Sequence, residues 1–194
     1  MAELWLIRHG ETAWNLTGQH TGRTDLPLTE RGSTQAKRLG RRLTGKTFAL
    51  VLSSPLLRAR ETCRLAGRLA EAQLDDDLAE WDYGALEGRT SAEIRDAMPG
   101  WTIWTGPWPE GETPDEVGAR ADRVLSRALG AGDDVALFAH GHLLRILAAR
   151  YLGLPAVGGR YLALDPASLS VLGRDRGERV LRFWNESYEL VESP

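Results

Sequence analysis

The sequence predicts an α/β fold, a three-layer sandwich in which a mainly parallel mixed sheet has helices on both faces and an antiparallel hairpin at its edge. Three observations predict it. Short, mostly apolar runs at residues 4–7, 49–52 and 134–139 alternate with longer stretches of helical spacing, the pattern of strand–helix–strand units. Within those runs the apolar residues are consecutive rather than alternating with polar ones, as in strands covered on both faces. Near the end, Arg174-Asp175-Arg176-Gly177 separates two more strand candidates, residues 168–172 and 179–184, as a hairpin turn does.

Each element has its own signal. The first run leads into Arg8 and His9, and Gly10 lets the backbone turn sharply after them. Residues 13–28, rich in Gly, Thr and Asn, show neither period and read as a loop; loops longer than about 12–15 residues inside compact domains are usually functional. Thr29 caps a helix whose inner positions are Ala36, Leu39, Gly40 and Leu43. After residues 49–52, Ser53-Ser54-Pro55 offers a cap and a first-turn proline for a helix from residue 55 to about 72. Residues from about 75 to 112 hold Trp81, Trp101, Trp104 and Trp108 among prolines and glycines, with one brief helix at the Thr90/Glu93 capping box. This stretch reads as an insertion folded over the strand ends. Thr113-Pro114-Asp115-Glu116 starts a helix to about residue 129 with Gly130 as its stop, and residues 143–152 form another, closed by Gly153.

The chain of 194 residues suits one domain, 1–194, with a full core, and its 42% hydrophobic and 26% charged residues are globular proportions. No run is long enough for a membrane span, and Met1-Ala2-Glu3 leads straight into the first strand, so the expected location is the cytoplasm. Cys63 is the only cysteine, compatible with a reducing compartment, and reads as a buried inert thiol. A net charge of -3 gives no general attraction for nucleic acid or anionic membrane. Any anion site must be local.

Such a site is suggested at the strand ends, where open α/β sheets bind ligands. Arg8-His9 and His140-Gly141 each end a strand, and Arg58 follows a third in the first turn of its helix. An Arg-His pair alone is more commonly a surface arginine beside a satisfied histidine. Together, though, Arg8, Arg58, His9 and His140 would surround a small volume with donors, with Ser54 and the amides at the helix start adding an anion site. A phosphate monoester is the natural occupant, because the guanidinium fork matches phosphate oxygens. A metal site is not expected: carboxylates are not spaced as co-ligands to His9, His20, His140 and His142, and the arginines would repel a cation. His142 reads as structural, pointing to the opposite face if the strand continues.

These residues carry a resemblance. Leu6-Ile7-Arg8-His9-Gly10-Glu11-Thr12 with Asn15, Ser53-Ser54-Pro55-Leu56-Leu57-Arg58-Ala59, the Glu80 segment and His140-Gly141-His142 resemble, in order, the motifs of the histidine phosphatase superfamily in its phosphoglycerate mutase-like branch. The resemblance implies that His9 is phosphorylated, that Arg8, Arg58 and His140 bind the phosphoryl group, and that Glu80 supplies the leaving-group proton. It also implies that Asn15, Thr21, Gly22, Tyr83 and Gly141 contact the substrate, with no cofactor and no metal. Gln19, His20 and Arg23 are specificity candidates, and Gly111-Glu112-Thr113 is similar to a family element whose capping role is explanation enough.

Within the family, the segment after Glu80 and residues 18–29 look most like the small acid phosphatases and sugar bisphosphatases. Ser91 stands where the mutases carry a substrate-binding lysine, and their bisphosphate-retaining tail looks reduced. The expected activity is therefore that of a phosphomonoesterase on small phosphorylated metabolites. A phosphoglycerate mutase and a non-catalytic phospho-ligand binding protein remain the alternatives. The edge of the final hairpin is able to support a homodimer, and a protected edge is equally compatible.

Overall fold

A computed structural model describes residues 2–187. Its strands are β1 (Leu4–Arg8), β2 (Leu50–Ser53), β3 (Ala72–Leu74), β4 (Val135–Ala139), β5 (Leu169–Asp175) and β6 (Glu178–Glu186). They form one sheet in the order β3-β2-β4-β1-β5-β6, parallel from β3 to β1 and antiparallel through β5 and β6. The helices are α1 (Ala13–Thr17), α2 (Glu30–Arg42), α3 (Leu57–Leu65), α4 (Ser91–Ala97), α5 (Pro114–Gly130) and α6 (Gly141–Tyr151).

The two-sided burial expected from the apolar runs is what separates the layers. In β1, Leu4 and Leu6 face one core with Leu137, Val124 and Leu147, while Trp5 and Ile7 face another with Leu39, Cys63 and Phe138. α5 and α6 cover the first face and α2 and α3 the second. Each such aliphatic side chain contributes about 1.5–3 kcal/mol when fully buried. Burial also pushes the Cys63 thiol up to about 12, consistent with an inert thiol.

Strand register then fixes where the chemistry emerges. Arg8 pairs with Ala139 and Ser53 with Phe138, so the next residues, His9, Ser54 and His140, leave three adjacent parallel strands at the same edge. Close contact at the β1 turn needs glycine twice. A Cβ on Gly10 would lie 2.5 Å from the Gly32 carbonyl oxygen, and one on Gly32 would lie 2.2 Å from that of Glu11.

Several boundaries differ from expectation for identifiable reasons. The 13–28 stretch contains α1, because Thr12 and Asn15 form a capping box with asparagine in place of the usual Glu or Gln. α3 begins at Leu57, two residues past Pro55. It ends at Leu65, because Gly67 turns left-handed at φ 77°, and the rest of the expected helix becomes a 3-10 turn and the short edge strand β3. α5 runs through Gly130, and the left-handed glycine beyond it is Gly132 at φ 79°. The hairpin turns on Arg176 and Gly177, both at positive φ, as a two-residue type I′ turn requires. The segment after Ser187, on which the expectation of a reduced tail rests, lies outside the described residues.

Candidate active site

His9 is 4% exposed, and its Nδ1 lies 2.7 Å from the Gly10 carbonyl oxygen. A carbonyl can only accept, so Nδ1 carries the proton and Nε2 keeps its lone pair. Burial first, then the charges of Arg58 and Arg8, hold the His9 pKa well below the ordinary histidine value. The ring is therefore neutral and nucleophilic at neutral pH. His140, whose ring centroid is 5.1 Å away, is also held well below its ordinary value, by burial and then by Arg58, His9 and Arg8. Its Nε2 is 2.7 Å from Ser54 Oγ, and that hydroxyl accepts from the Leu56 amide. Ser54 thus positions His140 and tightens the β2–α3 turn.

Arg58 is fully buried and clamps the loop above it. Nη1 donates to the Thr24 carbonyl, and Nη2 to those of Thr21 and Gly22, at 2.9–3.1 Å. Glu87 holds the same loop from the other side, accepting from the amides of Gly22, Arg23 and Thr24. Arg8 is tied by Nη1 to the Leu164 carbonyl. Of the five buried polar side-chain atoms left without a partner among the described residues, three belong to this set: Arg8 Nε, Arg58 Nε and His140 Nδ1. Unsatisfied groups are costly and rare in folded proteins, and here they concentrate around the neutral rings of His9 and His140.

Glu80 is 5% exposed and accepts from the amides of Trp81, His142 and Leu143, the last two at the open start of α6. Its segment is locked by an ion pair: Arg120 binds both oxygens of Glu112 and donates to the carbonyls of Asp77, Ala79 and Glu80. Glu112 does not cap a helix. Thr113 caps α5 with Glu116, while Glu112 also accepts from the Asp82 amide.

A cavity of about 230 Å³ opens above these groups, lined by Arg8, His9, Glu80, Asn15, Thr21, Tyr83 and Gly141 among the residues expected at the site. Gly22 does not line it. Its glycine is needed because a Cβ would lie 2.6 Å from the Trp81 carbonyl oxygen and 2.7 Å from Glu87. His142 does line it, contrary to the expectation that it faces away; residues two apart on a strand share a face, so the expectation fails even before helix α6 begins at Gly141. Its Nδ1 is 2.6 Å from the Tyr83 hydroxyl. Gln19 and His20 border the cavity; Arg23 instead pairs with Asp82. Trp14 and Arg145 also line it and were not anticipated; Arg145 could have been found from its place three residues after His142 on one helix face. Arg58 and His140 are fully buried and do not line this cavity; His140 meets it through His9, whose ring centroid is 5.1 Å away. A larger cavity of about 310 Å³, lined by Glu11, Arg31, Gln35 and Asp165, is not lined by His9, so the candidate site is the smaller one.

The family model for the histidine phosphatase superfamily (branch 1) matches residues 4–187. The chain belongs to that superfamily. This histidine phosphatase is 40% identical to an acid phosphatase of Mycobacterium tuberculosis over 92% of its own length and 89% of the relative's. It is 36% identical to sedoheptulose 1,7-bisphosphatase of Saccharomyces cerevisiae, covering 77% of this chain and 67% of that one. A solved structure of an open reading frame product of Mycobacterium tuberculosis superposes with a TM-score of 0.91 at 38% identity, covering 96% of this chain and 98% of that one. The fold is the phosphoglycerate mutase-like fold of the family. Among the described residues no helix is long and apolar enough to cross a membrane.

Proposed function

We propose that this histidine phosphatase is a phosphomonoesterase that hydrolyses small phosphorylated metabolites in two steps through a phosphohistidine on His9. Family membership and relatives named as phosphatases support the class, phosphoric monoester hydrolase. The observation that carries the mechanism is the His9 Nδ1 bond to the Gly10 carbonyl, which leaves Nε2 as the reacting atom beside two guanidinium groups and a second histidine.

In the first step Nε2 attacks phosphorus, the phosphorus–oxygen ester bond breaks, and Glu80 gives a proton to the departing alkoxide. In the second, water attacks the phosphohistidine, its proton passes to Glu80, and inorganic phosphate leaves with Nε2 restored. Arg8, Arg58 and His140 stabilise the charge on the transferring oxygens, the main help a protein gives phosphoryl transfer. Asn15, Thr21, Tyr83 and Gly141 bound the alcohol side of the substrate. Burial and then the neighbouring charges hold His140 neutral; a dianionic phosphate offsets those charges, so His140 should gain a proton when phosphate binds. Glu80 must be protonated as the alcohol leaves, while His9 stays neutral in mild acid. The rate should therefore be highest at mildly acidic pH.

This reading places the reaction in one domain, in the cytoplasm, with no cofactor, no metal, and neither nucleic acid nor membrane as partner. A homodimer would use the outer edge of β6, where Phe183 is exposed. Incubation with p-nitrophenyl phosphate and phosphosugars, followed by acid-labile, base-stable phosphohistidine trapping, tests the proposal. Labelling of His9 is expected, and turnover without it would overturn the mechanism. Equilibration of 3- and 2-phosphoglycerate, stimulated by 2,3-bisphosphoglycerate and faster than phosphate release, would favour the mutase. Phosphopeptide binding without phosphohistidine formation from any phosphorylated metabolite would favour a binding protein.

A further inference from the structure

Arg145 has no part in the steps above, yet it lines the same cavity. It follows His142 by three residues on α6, so the two share one helix face. Its Nε donates to the Gly159 carbonyl at 3.1 Å and its Nη2 to that of Arg160 at 3.3 Å, while Nη1 has no hydrogen-bond partner among the described residues. Among the described residues it forms no ion pair to a carboxylate; Glu80 acts on Arg145 only at longer range, its own oxygens taken up by three amides. Trp104 braces the pair, its ring 4.8 Å from the Arg145 guanidinium carbon and 5.4 Å from the His142 ring. On the same wall the Tyr83 hydroxyl occupies His142 Nδ1 and Ser91 Oγ occupies His20 Nε2, so the other nitrogen of each ring is open to a ligand.

A partly buried guanidinium stays charged, and holding it against neutral groups is unfavourable unless an anion arrives from outside. The transferring phosphoryl group already has Arg8, Arg58 and His140. With Glu80 protonated for its donor role, Arg145 is the cation left over. We propose that Arg145, with His142 and His20 beside it, recognises a second anionic group, so that the preferred phosphomonoesters carry a carboxylate or a further phosphate at the end away from the bond that breaks. This rests on the phosphatase reading for what is hydrolysed. The cavity, about 230 Å³, is smaller than the roughly 300 Å³ at the lower end of common ligand pockets, and so fits a short metabolite.

Phosphonates separate this proposal from turnover, because their phosphorus–carbon bond is not hydrolysed. Calorimetry would compare propylphosphonate, 3-phosphonopropionate, 4-phosphonobutyrate and propane-1,3-bisphosphonate on the unaltered protein, Arg145→Gln and Arg145→Lys. A charged tail should improve affinity by about 10- to 100-fold over propylphosphonate, the scale of a hydrogen bond between charged groups. Arg145→Gln should remove most of that preference and Arg145→Lys should keep part of it. Carboxylate and bisphosphonate arms show which anion is favoured, and a preference for either supports the proposal. No preference in the unaltered protein would overturn it. So would an equal weakening of all four ligands by Arg145→Gln, the signature of an arginine that merely anchors the turn at Gly159. A protein that shows the preference but never releases phosphate from a monoester would lose the phosphatase reading and keep this one.

Discussion

The floor and the roof of the cavity are built by different means. On the floor, backbone pairing of three adjacent strands brings His9, Ser54 and His140 to one edge, and moving any of them requires moving the sheet. In the roof, residues 18–28 and 76–112 hold few regular elements and are fixed by charged clamps: Arg58 on three carbonyls, Glu87 on three amides, and Arg120 on Glu112 and three carbonyls. Chemistry that must not vary sits where register enforces it. Of the candidate substrate contacts, Thr21, His20 and Tyr83 sit on segments whose side chains can change without disturbing the sheet, whereas His142 and Arg145 stand on α6.

The most damaging test of this division is on the floor. His9→Ala should lower phosphate release by at least about four orders of magnitude, the scale of nucleophile loss in covalent catalysis, while the melting temperature changes little. Glu80→Gln probes the joint between floor and roof. With alkyl phosphates, whose leaving groups need a proton, kcat should fall by about 10²- to 10⁴-fold. p-Nitrophenyl phosphate, whose leaving group is already a weak base, should lose far less. Equal losses on both would remove Glu80 from the proton-donor role.

The same contrast governs what could be read from residues alone. The mixed sheet with its edge hairpin, the two-sided core and the convergence of Arg8, His9, Arg58 and His140 were legible because consecutive apolar residues and histidine-glycine strand ends leave few alternatives. Loss of legibility came where one backbone dihedral decides. Residues 65–72 keep helical spacing, but Gly67 at φ 77° ends α3 and leaves β3 with three residues, too few to show a period. The expectation that His142 faces away fails on strand geometry itself, because residues two apart on a strand share a face, and helix α6, beginning at Gly141, also leaves it lining the cavity. The bonds of Glu87 to the amides of residues 22–24 and of Arg120 to the carbonyls of Asp77, Ala79 and Glu80 each span at least 40 residues, which no local spacing records.

A smaller effect tests the buried floor through stability. His9 and His140 have pKa values held well below the ordinary value in the folded protein, mainly by burial. Below about pH 6.5 the unfolded chain therefore binds protons that the folded chain refuses, and stability falls with pH by up to about 1.4 kcal/mol per unit for each such histidine. The loss ends once pH drops below the folded values. Melting temperature of the ligand-free protein should fall between pH 7 and 5, and saturating phosphate should reduce the slope by letting His140 take a proton. A flat profile would mean that these rings are not insulated as described.

The smallest expected effect lies in the roof, at Glu112. Its ion pair with Arg120 is largely buried, with side-chain exposures of 19% and 11%, and it reaches the chemistry only through the segment carrying Glu80. Glu112→Gln keeps one acceptor for Arg120 and removes the charge, so stability should fall by about 1–2 kcal/mol, within the range for a charged hydrogen bond. If the clamp positions the proton donor, kcat on alkyl phosphates should drop roughly tenfold with KM nearly unchanged, and p-nitrophenyl phosphate should barely respond, as a mild copy of Glu80→Gln. A drop shared by both substrates would mean that the roof acts on the nucleophile as well, and the separation between the two halves of the cavity would fail. A change in KM alone would confine Glu112 to substrate choice and leave Glu80 held by the α6 amides.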